Sequence, residues 1–175
     1  MKKIERIFRN SNNSDEIFDA FTEAVKEKID DVNLYKILLG NHSLSKDEII
    51  MYAEKLCKEF PHHKYEIYMW VASIFQNSLL DLNRLEIAFE YFVKASSTNP
   101  TEVKPIIQII DLYTYDMDSQ LNNKIMETVK RSEKKIKSRS EYYYKLAAHF
   151  KNLNDNESFK KCLKLAERFN SNNQL

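Results

Sequence analysis

One glycine and three prolines among 175 residues leave this chain almost without the residues that turn a backbone sharply. Glycine-rich phosphate loops, dinucleotide fingerprints and tight β-hairpin turns all need glycine where φ is positive or where backbone meets ligand. Gly40 alone cannot supply them. No stretch alternates apolar and polar residues over strand length without fitting a period of 3.6 better, so the sequence predicts an all-α fold. With 43% apolar and 30% charged residues, the 175 residues suit a single domain with its own core, spanning 1–175.

Helix signals recur about every twenty residues, each opened by a cap-type residue and closed by a polar cluster. The first clear one opens at Ser14, read as its N-cap, with Asp15 and Glu16 in the first turn and Ile17, Phe18, Phe21, Ala24, Val25 and Ile29 forming an apolar stripe. A short helix from Asn33 to Leu39 follows. Ser45-Lys46-Asp47-Glu48 is a capping box for the helix Ile49 to Phe60, which Pro61 ends. The next pairs run from His63 to Asn77 and Asn83 to Ser97, from Thr101 to Tyr115 and Ser119 to Ile136, and from Ser140 to Leu153 and Asn156 to Phe169. That gives about nine helices. Residues 1–10 read as a weak helix or arm, and 171–175 as a frayed polar tail. Short loops make sequence neighbours antiparallel neighbours in space. Alternate helix starts at Val32, His63, Glu102 and Ser140 are 31, 39 and 38 residues apart, a helix-pair period that signals an α-solenoid.

Within the second complete pair, Ala88, Phe92, Ala95 and Pro100 each have a structural role. Ala88 is small where helices cross, Phe92 fills the space between layers, Ala95 admits the next repeat and Pro100 stops the helix. The preceding helix offers Tyr68, Val71, Ala72 and Phe75. Together these residues resemble a tetratricopeptide repeat over about Tyr65 to Pro100, with a longer connecting loop, Asn77 to Asn83, than the family norm. The last pair matches through Tyr143, Leu146, Ala147 and Phe150, but has Phe159 where the small residue of the second helix belongs; Ala20, Ala24 and Val32 are similar to a second helix, with Val in place of Pro. The resemblance implies a short stack of antiparallel helix pairs. It also implies a non-catalytic adaptor whose groove, lined mainly by the first helices, grips a peptide or helix of a partner protein. The Lys/Asn/Arg clamp of the family's co-chaperones has no counterpart: Met69, Ser73, Glu141 and Lys145 occupy the matching positions.

Net charge is only +1, but it is distributed unevenly. Residues 1–64 carry 11 basic and 12 acidic side chains, 65–119 carry 3 and 8, and 120–175 carry 13 and 6. Lys130, Arg131, Lys134, Lys135, Lys137 and Arg139 form the densest basic segment, and a helix through it would line up Lys130, Lys134 and Lys137. With Tyr142, Tyr143 and Tyr144, a run spread over most of a helical turn, they are the candidate partner-binding residues. The alternative is two of these rings in the core and one on the surface. Use of the basic third to bind nucleic acid is the competing functional expectation, and the charge asymmetry also allows salt-sensitive head-to-tail self-association.

Catalytic sets cannot be picked out. Cys57, His62, His63 and Glu66 are the only clustered metal-type ligands, but Pro61-His62-His63 lacks a second ligand pair at finger-like spacing, so the expectation is a solvated turn and no metal or cofactor. His42 and His149 are isolated, and Asp111, Asp116 and Asp118 lack the glycine and regular alternation of a calcium loop. Cys57 and Cys162, 105 residues apart, suit two reduced buried thiols. Met1-Lys2-Lys3-Ile4 starts like a signal peptide, but Glu5, Arg6 and Arg9 interrupt any apolar run. The longest nearly apolar run, Ile67 to Phe75, falls well short of the ~18 residues a membrane helix needs. The expectation is a cytoplasmic protein with no membrane contact.

Overall fold

A computed structural model describes residues 1–77, 81–115 and 120–171. It is all-α, with no strand among the described residues. The helices are α1 (Lys2–Asn10), α2 (Ser14–Lys26), α3 (Val32–Leu39), α4 (Lys46–Glu59), α5 (Lys64–Gln76), α6 (Leu82–Thr98), α7 (Lys104–Asp111), α8 (Gln120–Ser132), α9 (Arg139–Asn152) and α10 (Asn156–Ser171), with a 3₁₀ turn at Pro61–His63. None of them is long and apolar enough to cross a membrane. Asp116, Asp118 and Ser119, and the tail beyond Ser171, lie outside the described residues.

Successive helices pack as pairs, α1 with α2, α5 with α6, α9 with α10. The odd-numbered helices form one layer, in which α1 meets α3, α3 meets α5 and α7 meets α9. The even-numbered helices form the other. Phe21 of α2 meets Tyr52 of α4 with ring centroids 4.6 Å apart. Glu54 of α4 accepts hydrogen bonds from the Tyr91 hydroxyl (3.0 Å) and the Lys94 ammonium (2.5 Å) of α6, and α6 in turn meets α8. This two-layer stack is a helical solenoid with one continuous core.

Of the weak helix or arm expected at residues 1–10, the structure has the helix, and it packs into the core. Ile4 and Phe8, one turn apart, are both buried, and α1 is the first helix of a pair completed by α2. In the middle of the stack Val71, Ala72, Phe75, Ala88, Phe92 and Ala95 are fully buried. Cys57 and Cys162 are buried free thiols, and burial pushes the Cys57 thiol up to about 11.

Local chemistry fixes the ends. Asn13, not Ser14, caps α2, its side chain accepting from the backbone N–H groups of Asp15 and Glu16. The capping box at Ser45 and Glu48 is complete. Chain reversals that would favour glycine are made without it. After α2, the Ile29 N–H bonds back to Ala24 O and the Lys28 N–H to Val25 O, and after α10's partner α9 the Asp155 N–H bonds to Phe150 O and the Asn154 N–H to Lys151 O. Both are Schellman closures, with Lys28 (φ 52°) and Asn154 (φ 59°) in the left-handed position. The one glycine sits elsewhere, at φ −86° behind α3. A Cβ there would lie 3.2 Å from the Lys36 carbonyl, a tight contact with the last turn of α3, and in ordinary contact, at 3.9 Å, with the Trp70 ring.

His149 is buried in a cage of Tyr113, Tyr115 and Phe150, its Nδ1 3.0 Å from the Tyr115 hydroxyl. Among the described residues its Nε2 has no hydrogen-bond partner. Burial, aided by Lys145, holds this imidazole below its ordinary pKa. The unfolded chain therefore takes up the proton more readily than the folded one, so the contribution is present in full above the unfolded value of about 6.5 and is lost as pH falls. Thermal melts from about pH 7.5 to 5.5 are expected to fall for the native chain and to fall less steeply for His149→Gln.

Candidate functional site

The first-helix layer carries a groove. Two hollows, of about 450 and 540 Å³, share Gly40, Asn41, His42 and Trp70 as lining residues. The first extends along α5 past Ser73 and Ile74 to Arg84, and the second crosses α3 at Lys36 and Ile37 to reach Arg9 of α1. Trp70 remains 38% exposed, yet its indole N–H donates to the Lys36 carbonyl at 3.0 Å. The ring is thus held in place with part of its surface in solvent, the state of a preformed anchor for an apolar side chain. Lys36 puts a basic group on the second hollow's rim, and Arg9, whose guanidinium pairs with Glu5 at 2.9 Å, lies beside it. Asn41 supports the floor: its amide donates to the carbonyls of Phe8 (2.9 Å) and Ser11 (3.0 Å), and its oxygen accepts from the Ser43 N–H and hydroxyl (both 2.8 Å).

The sequence-predicted binding residues divide between different places. Lys130, Tyr142 and Tyr143 line a cleft of about 580 Å³ between α8, α9 and α10, whose apolar walls include Met126, Leu146, Phe150 and Leu165. Tyr142 and Tyr143 are buried, and their hydroxyls are committed to Val129 O (3.1 Å) and Glu133 Oε1 (2.5 Å). Tyr143 also stacks on Phe169 at 5.6 Å. Burial raises both phenols' pKa values. Tyr144 alone of the three is exposed, the two-in, one-out arrangement.

The lysine stripe requires correction. α8 ends at Ser132, so Lys130 stands on its last turn while Lys134 and Lys137 belong to the following connection, both exposed. Two tertiary contacts break the helix there. Ile136 turns into the core, and the Lys137 N–H donates to the Thr101 carbonyl at 3.0 Å.

A third grouping was only half visible in sequence. His62 Nε2 lies 3.0 Å and His63 Nε2 2.6 Å from Asp30 Oδ1, so the two imidazoles share one carboxylate from the α2–α3 connection. Cys57 does not join them, because it is buried in the core as a free thiol. Lys28 Nζ and Glu59 Oε2, 2.6 Å apart, tie the same two connections together. Lys28, with Lys55, holds the Glu59 carboxyl down at about 2. No family model, no curated protein and no solved structure matches this chain.

Proposed function

We propose that this protein is a non-catalytic interaction module of tetratricopeptide-like architecture that grips a peptide or helix of a partner protein in its first-helix groove. The observation that carries the proposal is Trp70, exposed in the groove and held by the Lys36 carbonyl. Aromatic residues held rigid in a partly desolvated hollow are the commonest energetic anchors of interfaces. The resemblance of residues 65–100 to a tetratricopeptide repeat supports the same reading, since that family binds through its first helices. The basic group at Lys36, with Arg9 beside it, favours a segment with a bulky apolar residue flanked by acidic ones. Two free buried thiols suit a reducing, cytoplasmic setting.

Trp70 is the chain's only tryptophan, so its emission reports directly on the groove. A panel of peptides pairing a central aromatic or leucine with acidic flanks is expected to shift that emission saturably. Trp70→Ala, followed by the peptide's own label, should weaken binding about 30-fold, the loss typical of an anchor residue. Unchanged affinity in a folded Trp70→Ala variant would remove the groove from the binding reaction. Binding to random duplex DNA with a steep salt slope, in place of peptide binding, would favour the nucleic-acid alternative instead.

A further inference from the structure

We propose that Asp30, His62 and His63 form a binding site for a divalent transition ion of the zinc class, with Glu66 as the outer partner of His63. One ligand atom from each of the three lies within 4.8 Å of the others. A tetrahedral zinc ion with bonds near 2.0–2.1 Å sets its ligand atoms about 3.3 Å apart. The observed separations of 3.0 and 2.6 Å to Asp30 Oδ1 need to open by about 0.3 and 0.7 Å to reach that spacing. Asp30 and His62 are each more than half exposed and have the room to do so.

Donor chemistry selects the ion. Two imidazoles and one carboxylate suit zinc, cobalt(II) or nickel(II) far better than calcium or magnesium, which take oxygen. His63 Nδ1 lies 3.5 Å from Glu66 Oε2. A carboxylate behind one ring nitrogen orients the other towards the metal, the usual supporting arrangement for a histidine ligand. The neighbouring Asp31 is not a competitor, because its side chain caps α3 by accepting from the Asn33 and Leu34 N–H groups.

The backbone holds the ligands ready. Pro61 starts the 3₁₀ turn that sets the two histidines side by side, with ring centroids 4.1 Å apart. The buried Phe60 contacts the His62 ring edge-on. On the other side, the left-handed Lys28 turns the chain so that Asp30 faces the histidines, and the Lys28–Glu59 pair draws the two connections together. An ion here would bridge the link between the first and second helix pairs to the link between the second and third. Protons compete with a metal ion for imidazole nitrogens, so its affinity should fall in acid.

The test is titration of the full chain with Co²⁺ by visible absorption and with Zn²⁺ by thermal melting. Saturable binding of one equivalent and a higher Tm are expected, with cobalt bands lacking thiolate charge transfer. His63→Ala and Asp30→Asn should each weaken binding at least about tenfold, the lower end of what losing a ligand or its support costs. His42→Ala, which leaves the cluster intact, should bind like the native chain. A Tm unmoved by about a tenfold molar excess of Zn²⁺ over protein overturns the site. So does equal binding by His63→Ala, Asp30→Asn and the native chain, or a strong thiolate-to-cobalt band, which would put the ion on a cysteine.

Discussion

Phe8→Ala is expected to destabilise the protein by about 3–5 kcal/mol, the range for removing a fully buried phenylalanine. Phe8 has no exposed surface, and Ile4 one turn earlier is nearly as well covered. α1 is short, at nine residues, and beyond these two side chains it is fastened by the partly buried Ile7 and by the Asn41 amide on the Phe8 and Ser11 carbonyls. Urea denaturation read by circular dichroism measures the loss. A loosely attached arm would instead give a change within about 0.5 kcal/mol, as surface substitutions do.

Asn41→Leu should be comparably damaging, at roughly 2–4 kcal/mol, for a different reason. Leucine repeats the branching of asparagine with a larger volume, and the substitution strips partners from the Phe8 and Ser11 carbonyls and from the Ser43 N–H. A buried polar group left unsatisfied costs about 1–3 kcal/mol, more than its hydrogen bond contributes when made. Asn41→Asp is the informative companion: it keeps the acceptor for Ser43 but sets a buried carboxylate oxygen against the Phe8 and Ser11 carbonyls, so at neutral pH it should be at least as damaging as Asn41→Leu in the same denaturation series.

Much of the architecture could be read from the sequence because it is locally encoded. The Ser45 to Glu48 capping box has both halves within four residues, and the apolar stripe of α2 repeats at helical spacing. The failures share a cause. Asn13 and Ser14 are both good caps, and only backbone geometry chooses between them. The segment from Lys130 to Arg139 is rich in helix formers, yet α8 stops at Ser132 because Ile136 is buried and the Thr101 carbonyl receives the Lys137 N–H. Likewise α7 spans only Lys104–Asp111 of the helix expected from Thr101 to Tyr115, as Tyr113 and Tyr115 leave it to pack on His149. In α1, Ile4, Ile7 and Phe8 are too few to make a strong periodic signal, so its place in the core is not legible in the sequence. At the sites, Trp70 sits within an apolar run that gives no hint which ring stays exposed. Asp30, 32 residues before His62, resembles any loop carboxylate until the fold joins them.

Among the described helices, each packs substantially only on those one or two places away in the chain. A nascent chain can therefore begin to settle while it is still being synthesised, since no early helix waits for the far end of the protein. The first checkpoint is set by Asn41. Until that residue has left the ribosome, the carbonyls at the end of α1 lack the amide that satisfies them, and the groove that Trp70 completes has no floor.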